Sequence, residues 1–231
     1  MSFADELRLA ALPIWEDWHS HPFVRGIGDG TLAVEKFQHW LRQDYVYLKE
    51  YARVFALATA KARDLATMSM FARLLDGTLN SEMELHRRYA AQFGITGEEL
   101  EHEPKSPTTQ AYTDFLLAAA YGGDLDRLVA ALLPCAWGFW EIGTRLAQAA
   151  DAAGPGGRDG GGNPYLDWIA TYSSTQFGEL VVWLKDLMNR LAEGCSADRR
   201  RELIQVFVTS SRYELRFWDM AETLERLPVR P

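Results

Sequence analysis

The chain has 231 residues, of which 48% are apolar and 12% aromatic; this can form one large hydrophobic core or two small domains and excludes disorder as the main state. A formal net charge of -8, from 24 basic and 32 acidic residues, repels phosphate backbones and argues against nucleic-acid binding. No run of the sequence approaches the ~18 apolar residues of a membrane span, and the early charges of Asp5, Glu6 and Arg8 are unlike a signal peptide, so we expect a cytoplasmic protein without membrane association.

Apolar residues recur at helical spacing along the chain, and the alternation typical of half-buried strands is absent. The sequence therefore predicts an all-α protein. A first helix begins after Ser2, whose hydroxyl can cap it together with Asp5, and Pro13 should bend or interrupt it. Three glycines and a proline within residues 21–30 predict a loop.

The remaining helices are predicted from the same periodicity and from local capping signals. Ser81 followed by Glu84 has capping-box spacing and predicts a helix restart there, and Ser196 is the expected cap of the last helix. Helical residues are predicted at 34–63, 65–75, 109–121, 125–150, 164–172, 175–191 and 197–227, with one short helical turn in the connection 94–107. Residues 154–162 contain six glycines and predict a flexible surface linker. Because no composition break divides the chain, we expect a single domain over residues 1–231.

A cysteine in the middle of a predicted helix is the first candidate for chemistry. Cys135 follows Pro134, which frees a backbone carbonyl one turn earlier and should kink the helix, and Phe139 shares its face at i+4. Small residues such as Gly138 should leave space near it. A buried inert thiol is the favoured interpretation from the residue type alone, and a reactive thiol beside a flat ring is the alternative. Because Cys195 is far away in a chain without secretory signals, free thiols are favoured over a disulfide.

Two acids stand among aromatic residues. Asp44, Tyr47 and Tyr51 follow one another at i+3 and i+4, so they form either a solvated face or a polar stripe toward a pocket for an aromatic ligand carrying an amino group. Glu214 precedes Phe217 at i+3, and an acid among rings suits proton transfer because its charged form is disfavoured. A salt bridge from Glu214 to a neighbouring arginine, Arg212 or Arg216, is the open alternative.

Histidines prompt a test for metal sites. Glu16 with His19, and Glu99 with His102, have the Glu-x-x-His spacing of carboxylate di-iron bundles. The second pair lies in a predicted connection, and no apolar helix supplies the two further glutamates, so we expect no metal site. His86 is interpreted as an exposed or hydrogen-bonded helix residue.

Several short motifs follow one another along nearly the whole chain. They are Pro13-Ile14-Trp15, His21-Pro22-Phe23-Val24, the stretch 26–32, Gln43-Asp44-Tyr45, Thr78-Leu79-Asn80-Ser81-Glu82, Leu133-Pro134-Cys135, Thr171-Tyr172-Ser173-Ser174, Ser211-Arg212-Tyr213-Glu214 and Phe217-Trp218. Each is weak alone, but their order is specific. Read together, they resemble the TenA/thiaminase II family, the aminopyrimidine aminohydrolases of thiamin salvage.

The resemblance implies a heme-oxygenase-like, single-domain helical bundle that assembles as a homotetramer and uses no metal or organic cofactor. It implies that the small-molecule substrate is 4-amino-5-aminomethyl-2-methylpyrimidine, or thiamin, and that the product is 4-amino-5-hydroxymethyl-2-methylpyrimidine. By position, Cys135 matches the family's nucleophile, Glu214 its proton-transfer carboxylate, and Tyr47 the phenol that hydrogen-bonds the thiol.

The resemblance also implies the residues that bind the pyrimidine. Asp44 matches the group that binds its amino and ring nitrogens, and Tyr112, Tyr172 and Phe217 match pocket walls. Phe139 stands where the family commonly has a tyrosine, so a hydroxyl that contacts substrate is missing. For this reason a non-catalytic pyrimidine-binding or interaction protein is the alternative function. The enzymatic interpretation requires the sulfur and the two acids to converge on one flat, aromatic-walled cavity.

Overall fold

The computed structural model describes residues 1–153 and 162–227, and every regular element in these ranges is a helix. The α-helices are α1 (Phe3–Ala10), α2 (Leu12–Ser20), α3 (Pro22–Asp29), α4 (Val34–Lys61), α5 (Leu65–Asp76), α6 (Met83–Gln92), α7 (Gly97–His102), α8 (Pro107–Gly122), α9 (Leu125–Ala153), α10 (Leu166–Tyr172), α11 (Thr175–Leu191) and α12 (Ala197–Thr223). A π-helical segment, Gly77–Glu82, joins α5 to α6. Among the described residues, no helix is both long and apolar enough to cross a membrane. The all-α class is confirmed, and the linker predicted at 154–162 lies outside the described residues except for Gly162.

The first two helices follow their sequence signals. The Ser2 hydroxyl accepts a hydrogen bond from the Asp5 amide at 3.2 Å, and the Asp5 carboxylate accepts one from the Ser2 amide at 2.9 Å. This reciprocal pair satisfies amide groups that the first helical turn leaves without partners. Pro13 lies in the first turn of α2, where its missing N–H costs nothing, so the predicted interruption is confirmed.

The loop predicted at residues 21–30 is wrong, because most of it forms α3. His21 caps this helix by accepting the Phe23 amide at its ring nitrogen, Pro22 is the first helical residue, and Gly30 ends the helix with a φ of 77°. Gly26 sits inside α3, and a Cβ on it would lie 2.9 Å from the Cβ of Leu32. The glycines therefore permit close packing rather than breaking the helix.

The helix restart predicted at Ser81 is also wrong. The backbone continues from α5 through the π-helical segment into α6, where the Met83 amide donates to the carbonyl of Thr78, five residues earlier. No side chain caps the start of α6. The capping predicted for Ser196 is confirmed, since its hydroxyl accepts the Arg199 amide at 3.2 Å. The other predicted helices agree with the structure to within a few residues.

The chain divides into two compact units: Met1–Ala33 with Leu132–Trp218, and Val34–Ala131 with the segment from Asp219 onward. In the first unit Trp15 stacks on Trp18 at 4.5 Å, and its indole donates to the Ser211 hydroxyl at 3.0 Å. The second unit is built on α4, which packs against α5 and α8. The single-domain organisation predicted for residues 1–231 stays a prediction.

Candidate functional site

Asp44, in the second unit, is a buried acid on α4. Only 5% of the Asp44 surface is exposed, so the interpretation that Asp44 lies on a solvated helix face is wrong. Its Oδ2 atom lies 2.6 Å from Nε2 of His86 on α6. Among the described residues, Oδ1 of Asp44 accepts no hydrogen bond. A buried carboxylate with one engaged oxygen and one available oxygen is suited to receive an N–H donor from a ligand.

The tyrosines predicted on the same stripe are buried beside one another. Tyr47 and Tyr51 are one turn apart on α4, and their rings stack with centroids 5.4 Å apart. The ring of Tyr112 on α8 lies 5.2 Å from that of Tyr47. The structure thus brings Tyr47 and Tyr112 together in one aromatic group on the second unit, and the stripe faces inward rather than toward solvent.

Two titratable groups interact with Asp44: His86 through a hydrogen bond, and Glu82 through its charge. Burial alone would lower the pKa of His86, but the hydrogen bond to Asp44 and the charges of Asp44 and Glu82 outweigh it and raise that pKa. Burial also raises the pKa of Glu82, and the nearby Asp44 charge adds to this, against the opposing effect of His86. The Thr78 hydroxyl donates to the Glu82 carboxylate at 3.3 Å.

His86 forms one hydrogen bond that its sequence neighbourhood predicts and one that it does not. Its Nδ1 lies 3.1 Å from the carbonyl oxygen of Glu82, the residue four positions earlier. The prediction that His86 is a hydrogen-bonded helix residue is therefore confirmed. Its partner Asp44 is 42 positions away, and helical spacing gives no information about such a contact.

Cys135, in the first unit, lies on α9 directly after Pro134, which is inside the helix as predicted. The residue is partly exposed, and neither Cys135 nor Cys195 forms a disulfide within the described part of the chain, as expected. The expectation that Gly138 leaves open space is wrong: a Cβ there would lie 2.4 Å from the indole of Trp18. The indole occupies the volume that the glycine leaves.

Phe139, one turn after Cys135, is the centre of an aromatic cluster in the first unit. Its ring centroid lies 4.9 Å from that of Tyr172, 5.2 Å from that of Trp218 and 5.8 Å from that of Trp168. The Trp168 and Tyr172 rings also contact each other, at 4.8 Å. The structure therefore brings together two of the predicted substrate-binding residues, Phe139 and Tyr172, on α9 and α10.

Glu214 and Phe217, on α12, are both buried in the first unit, each only 3% exposed. The neighbouring Arg212 and Arg216 are exposed. An interior carboxyl group is what the proton-transfer interpretation requires. That interpretation, like the roles predicted for the other site residues, stays a prediction.

The Glu-x-x-His pairs are engaged in polar contacts of their own. Nε2 of His19 lies 2.9 Å from a carboxylate oxygen of Glu141, and Glu99 accepts from Arg42 at 2.9 Å. Nδ1 of His102 lies 2.9 Å from the carbonyl oxygen of Glu98. Across residues 1–153 and 162–227, no group of three or more His, Cys, Asp or Glu side chains is placed to hold a metal ion.

Comparison with known proteins finds similarity along almost the whole chain. Residues 9–224 match the model of the TENA/THI-4/PQQC family. An aminopyrimidine aminohydrolase of Halalkalibacterium halodurans is 49% identical over 222 residues, which are 96% of each chain. A TenA homologue from P. horikoshii OT3 superposes with a TM-score of 0.85 at 29% identity, covering 96% of this chain and 98% of the other.

A more distant solved structure confirms the predicted architecture. A domain of unknown function from Shewanella denitrificans OS217, with a heme oxygenase-like fold, superposes with a TM-score of 0.69 over 95% of this chain and 92% of its own. Its sequence identity is 14%, so this likeness concerns the fold alone. The heme-oxygenase-like helical fold is thus confirmed.

Proposed function

The chain belongs to the TENA/THI-4/PQQC family, and on that premise we propose that it is an aminopyrimidine aminohydrolase of thiamin salvage. The observation that carries the proposal is its similarity to the H. halodurans aminopyrimidine aminohydrolase over almost the full length of both chains. The reaction is a hydrolysis, in which 4-amino-5-aminomethyl-2-methylpyrimidine and water give the 5-hydroxymethyl pyrimidine and ammonia. Thiamin is the second substrate, and its thiazole is then the leaving group.

Cys135 is the proposed nucleophile. Its thiolate adds to an electron-poor carbon of the pyrimidine, and the leaving group departs from the exocyclic methylene; water then adds at this methylene and the thiolate is expelled. Partial exposure of Cys135 supports the role, because a thiol sealed in the core could not meet a substrate. The role proposed for Tyr47, to hydrogen-bond the thiol, rests on the family resemblance.

The two buried acids are the proposed proton and amino-group partners of the pyrimidine. Oδ1 of Asp44 accepts the N–H of the 4-amino group, which its lack of a hydrogen bond among the described residues supports. Glu214 transfers protons to and from the ring during thiolate addition, which its burial supports. Protonation or hydrogen bonding of the ring is needed because a neutral pyrimidine is a poor acceptor for a nucleophile.

Aromatic side chains are the proposed walls for the pyrimidine. Tyr112, Phe139, Tyr172 and Phe217 are all buried, and flat rings of this kind stack on a heterocycle while excluding water. Phe139 offers its ring without a hydroxyl group. We therefore expect substrate preference or rate to differ from relatives that carry tyrosine at this position.

The activity test is incubation of the purified protein with each substrate, with the hydroxymethyl pyrimidine measured by mass spectrometry. We expect product from the wild type and from Cys195→Ser, the matched thiol control, and loss of turnover in Cys135→Ser. Product from Cys135→Ser at the wild-type rate would contradict the nucleophile. Tight binding of the hydroxymethyl pyrimidine, measured by calorimetry, without any turnover would contradict the enzymatic function and support the non-catalytic pyrimidine-binding alternative.

A cytoplasmic location and a homotetrameric assembly belong to the same proposal. Both are supported by the family resemblance. Light scattering on the purified protein tests the assembly directly, since the 26.1 kDa chain should then behave as a particle of about four times that mass.

A further inference from the structure

We propose that His86 is a positioning residue that fixes the orientation of the Asp44 side chain, with Oδ2 bound to the imidazole and Oδ1 presented to the amino group of the ligand. The inference rests on the proposed function, because Asp44 is the acid that receives the aminopyrimidine there. It adds His86, on α6, to the proposed site residues, which otherwise lie on other helices.

The two hydrogen bonds of the His86 ring indicate its protonation state. Nδ1 lies 3.1 Å from a backbone carbonyl oxygen, that of Glu82, which can only accept, so Nδ1 carries a proton. Nε2 lies 2.6 Å from Oδ2 of Asp44, and an ionised carboxylate can also only accept. With Asp44 ionised, both ring nitrogens are protonated, and the pair is an imidazolium and a carboxylate.

The charges around the ring favour this state. Both side chains of the pair are 7% exposed, so an uncompensated charge on either would be costly. The charged groups that face His86 are Asp44 from α4 and Glu82 from the π-helical segment, and together they raise its pKa despite burial. Two acidic groups of α7 are paired elsewhere, since Glu101 lies 2.6 Å from the Lys49 ammonium and Glu99 binds Arg42.

The geometry also explains why the available oxygen of Asp44 has a defined position. The Asp44 side chain is buried, and its Oδ2 atom is hydrogen-bonded to the His86 ring, which is itself hydrogen-bonded to the Glu82 carbonyl at the end of the π-helical segment. A tether of this kind removes rotation about the carboxylate and keeps its other oxygen in one place. Without His86, the Asp44 side chain would be free to turn, and this would weaken its bond to an amino group.

The test uses two substitutions and one matched control. His86→Leu removes both ring hydrogen bonds, and His86→Gln keeps an N–H that can reach Oδ2 but cannot titrate. His102→Gln is the control, because His102 makes the same contact to a carbonyl four residues earlier, at 2.9 Å, on an exposed ring. Binding of the hydroxymethyl pyrimidine is measured by calorimetry, and kcat and KM by steady-state assay, from about pH 6 to about pH 9.

We expect His86→Leu to bind the hydroxymethyl pyrimidine about tenfold more weakly or worse, with most of the kinetic loss in KM. His86→Gln should recover part of the affinity and lose the decline in affinity that the wild type shows at alkaline pH, where the imidazolium deprotonates. A merely structural role would not move that pH profile. His102→Gln should match the wild type throughout.

NMR titration of the histidine rings, without ligand, tests the ion pair between His86 and Asp44 independently of substrate binding. We expect the His86 ring to stay doubly protonated above pH 6.5, the ordinary pKa of a histidine, and to lose its proton at lower pH in Asp44→Asn. A ring already neutral below pH 6.5 in the wild type would overturn the inference, even if His86→Leu does not fold. Active enzyme whose His86 variants bind the hydroxymethyl pyrimidine with the affinity and the pH dependence of the wild type would also overturn it, leaving the proposed function intact. A wild type that neither binds nor hydrolyses the pyrimidines would overturn the proposed function and the ligand part of the inference with it.

Discussion

Gly143 on α9 is a position where a single methyl group should destabilise the first unit. A Cβ built there lies 2.8 Å from the backbone carbonyl carbon of Tyr172 and 2.9 Å from the backbone nitrogen of Ser173. Ordinary contacts of a Cβ begin at 3.4 Å, so Gly143→Ala creates an overlap of 0.6 Å (3.4 less 2.8) against atoms that cannot rotate away. Overpacking of this kind costs about 1–3 kcal/mol.

The helix propensity of alanine opposes this cost. Replacing glycine by alanine inside a helix stabilises it by up to about 1 kcal/mol. Because the overlapped atoms include backbone, the clash should cost about 2–3 kcal/mol, and the net loss is about 1–2 kcal/mol. For a chain of this size the loss lowers Tm by about 2–8 °C. Because the clash involves the backbone of Tyr172, a predicted wall of the substrate site, we also expect lower activity.

Thermal unfolding followed by circular dichroism measures the difference, with Gly122→Ala as the matched control. Gly122 is also helical, but a Cβ there meets nothing within 4 Å, so this variant should be as stable as the wild type or slightly more stable. A Gly143→Ala protein with the Tm of Gly122→Ala would refute the reasoning, because it would show that α9 and α10 separate at no measurable cost.

Three further outcomes follow from the same structure. Phe139→Tyr adds a hydroxyl to a buried ring cluster. The family resemblance implies that this hydroxyl contacts substrate, so kcat/KM for the aminomethyl pyrimidine should rise. An unchanged kcat/KM would show that the ring alone suffices. The pKa of His86 is raised in the folded protein, so its ion pair with Asp44 stabilises the fold fully below pH 6.5, and this stability is lost as pH rises through the higher folded value. The free energies of unfolding of the wild type and His86→Gln, measured in urea, should therefore converge toward alkaline pH. A difference in free energy that widens toward alkaline pH would contradict the reasoning. Asn163→Ala removes a buried amide that donates to the carbonyls of Ile27 and Gly28 at 2.8 and 3.3 Å. The free energy of unfolding, measured by urea titration, should therefore fall by about 1–3 kcal/mol. An unchanged free energy would show that water replaces the amide.

Helix positions were the part of the fold that sequence patterns predicted well. The helix α4 was predicted at residues 34–63 and spans Val34–Lys61, because its apolar stripe repeats at the helical period. Ser2 and Pro13 acted as local signals, and both were interpreted correctly. These features depend on residues within a turn or two of one another, which is the range that a sequence window covers.

Glycine was misinterpreted where its role is set by distant contacts. In isolation Gly26, Gly28 and Gly30 indicate a loop, yet only Gly30 adopts a left-handed φ. A Cβ on Gly28 would lie 2.6 Å from the side chain of Leu146, a residue more than a hundred positions away. Such a contact exists only after the chain has folded, so no local rule could separate this glycine from one that breaks a helix.

The helical class, most helix boundaries and the family follow from the amino-acid sequence alone, because periodicity, caps and ordered motifs depend on neighbouring residues. The sequence also selected Asp44, Tyr47, Tyr112 and Phe139 as candidates. The burial of Asp44 against His86 and the packing of Phe139 against Tyr172 are visible only in the folded chain. The physical reason is that burial and hydrogen-bond partners depend on which helices pack together, and packing joins residues that the chain keeps far apart.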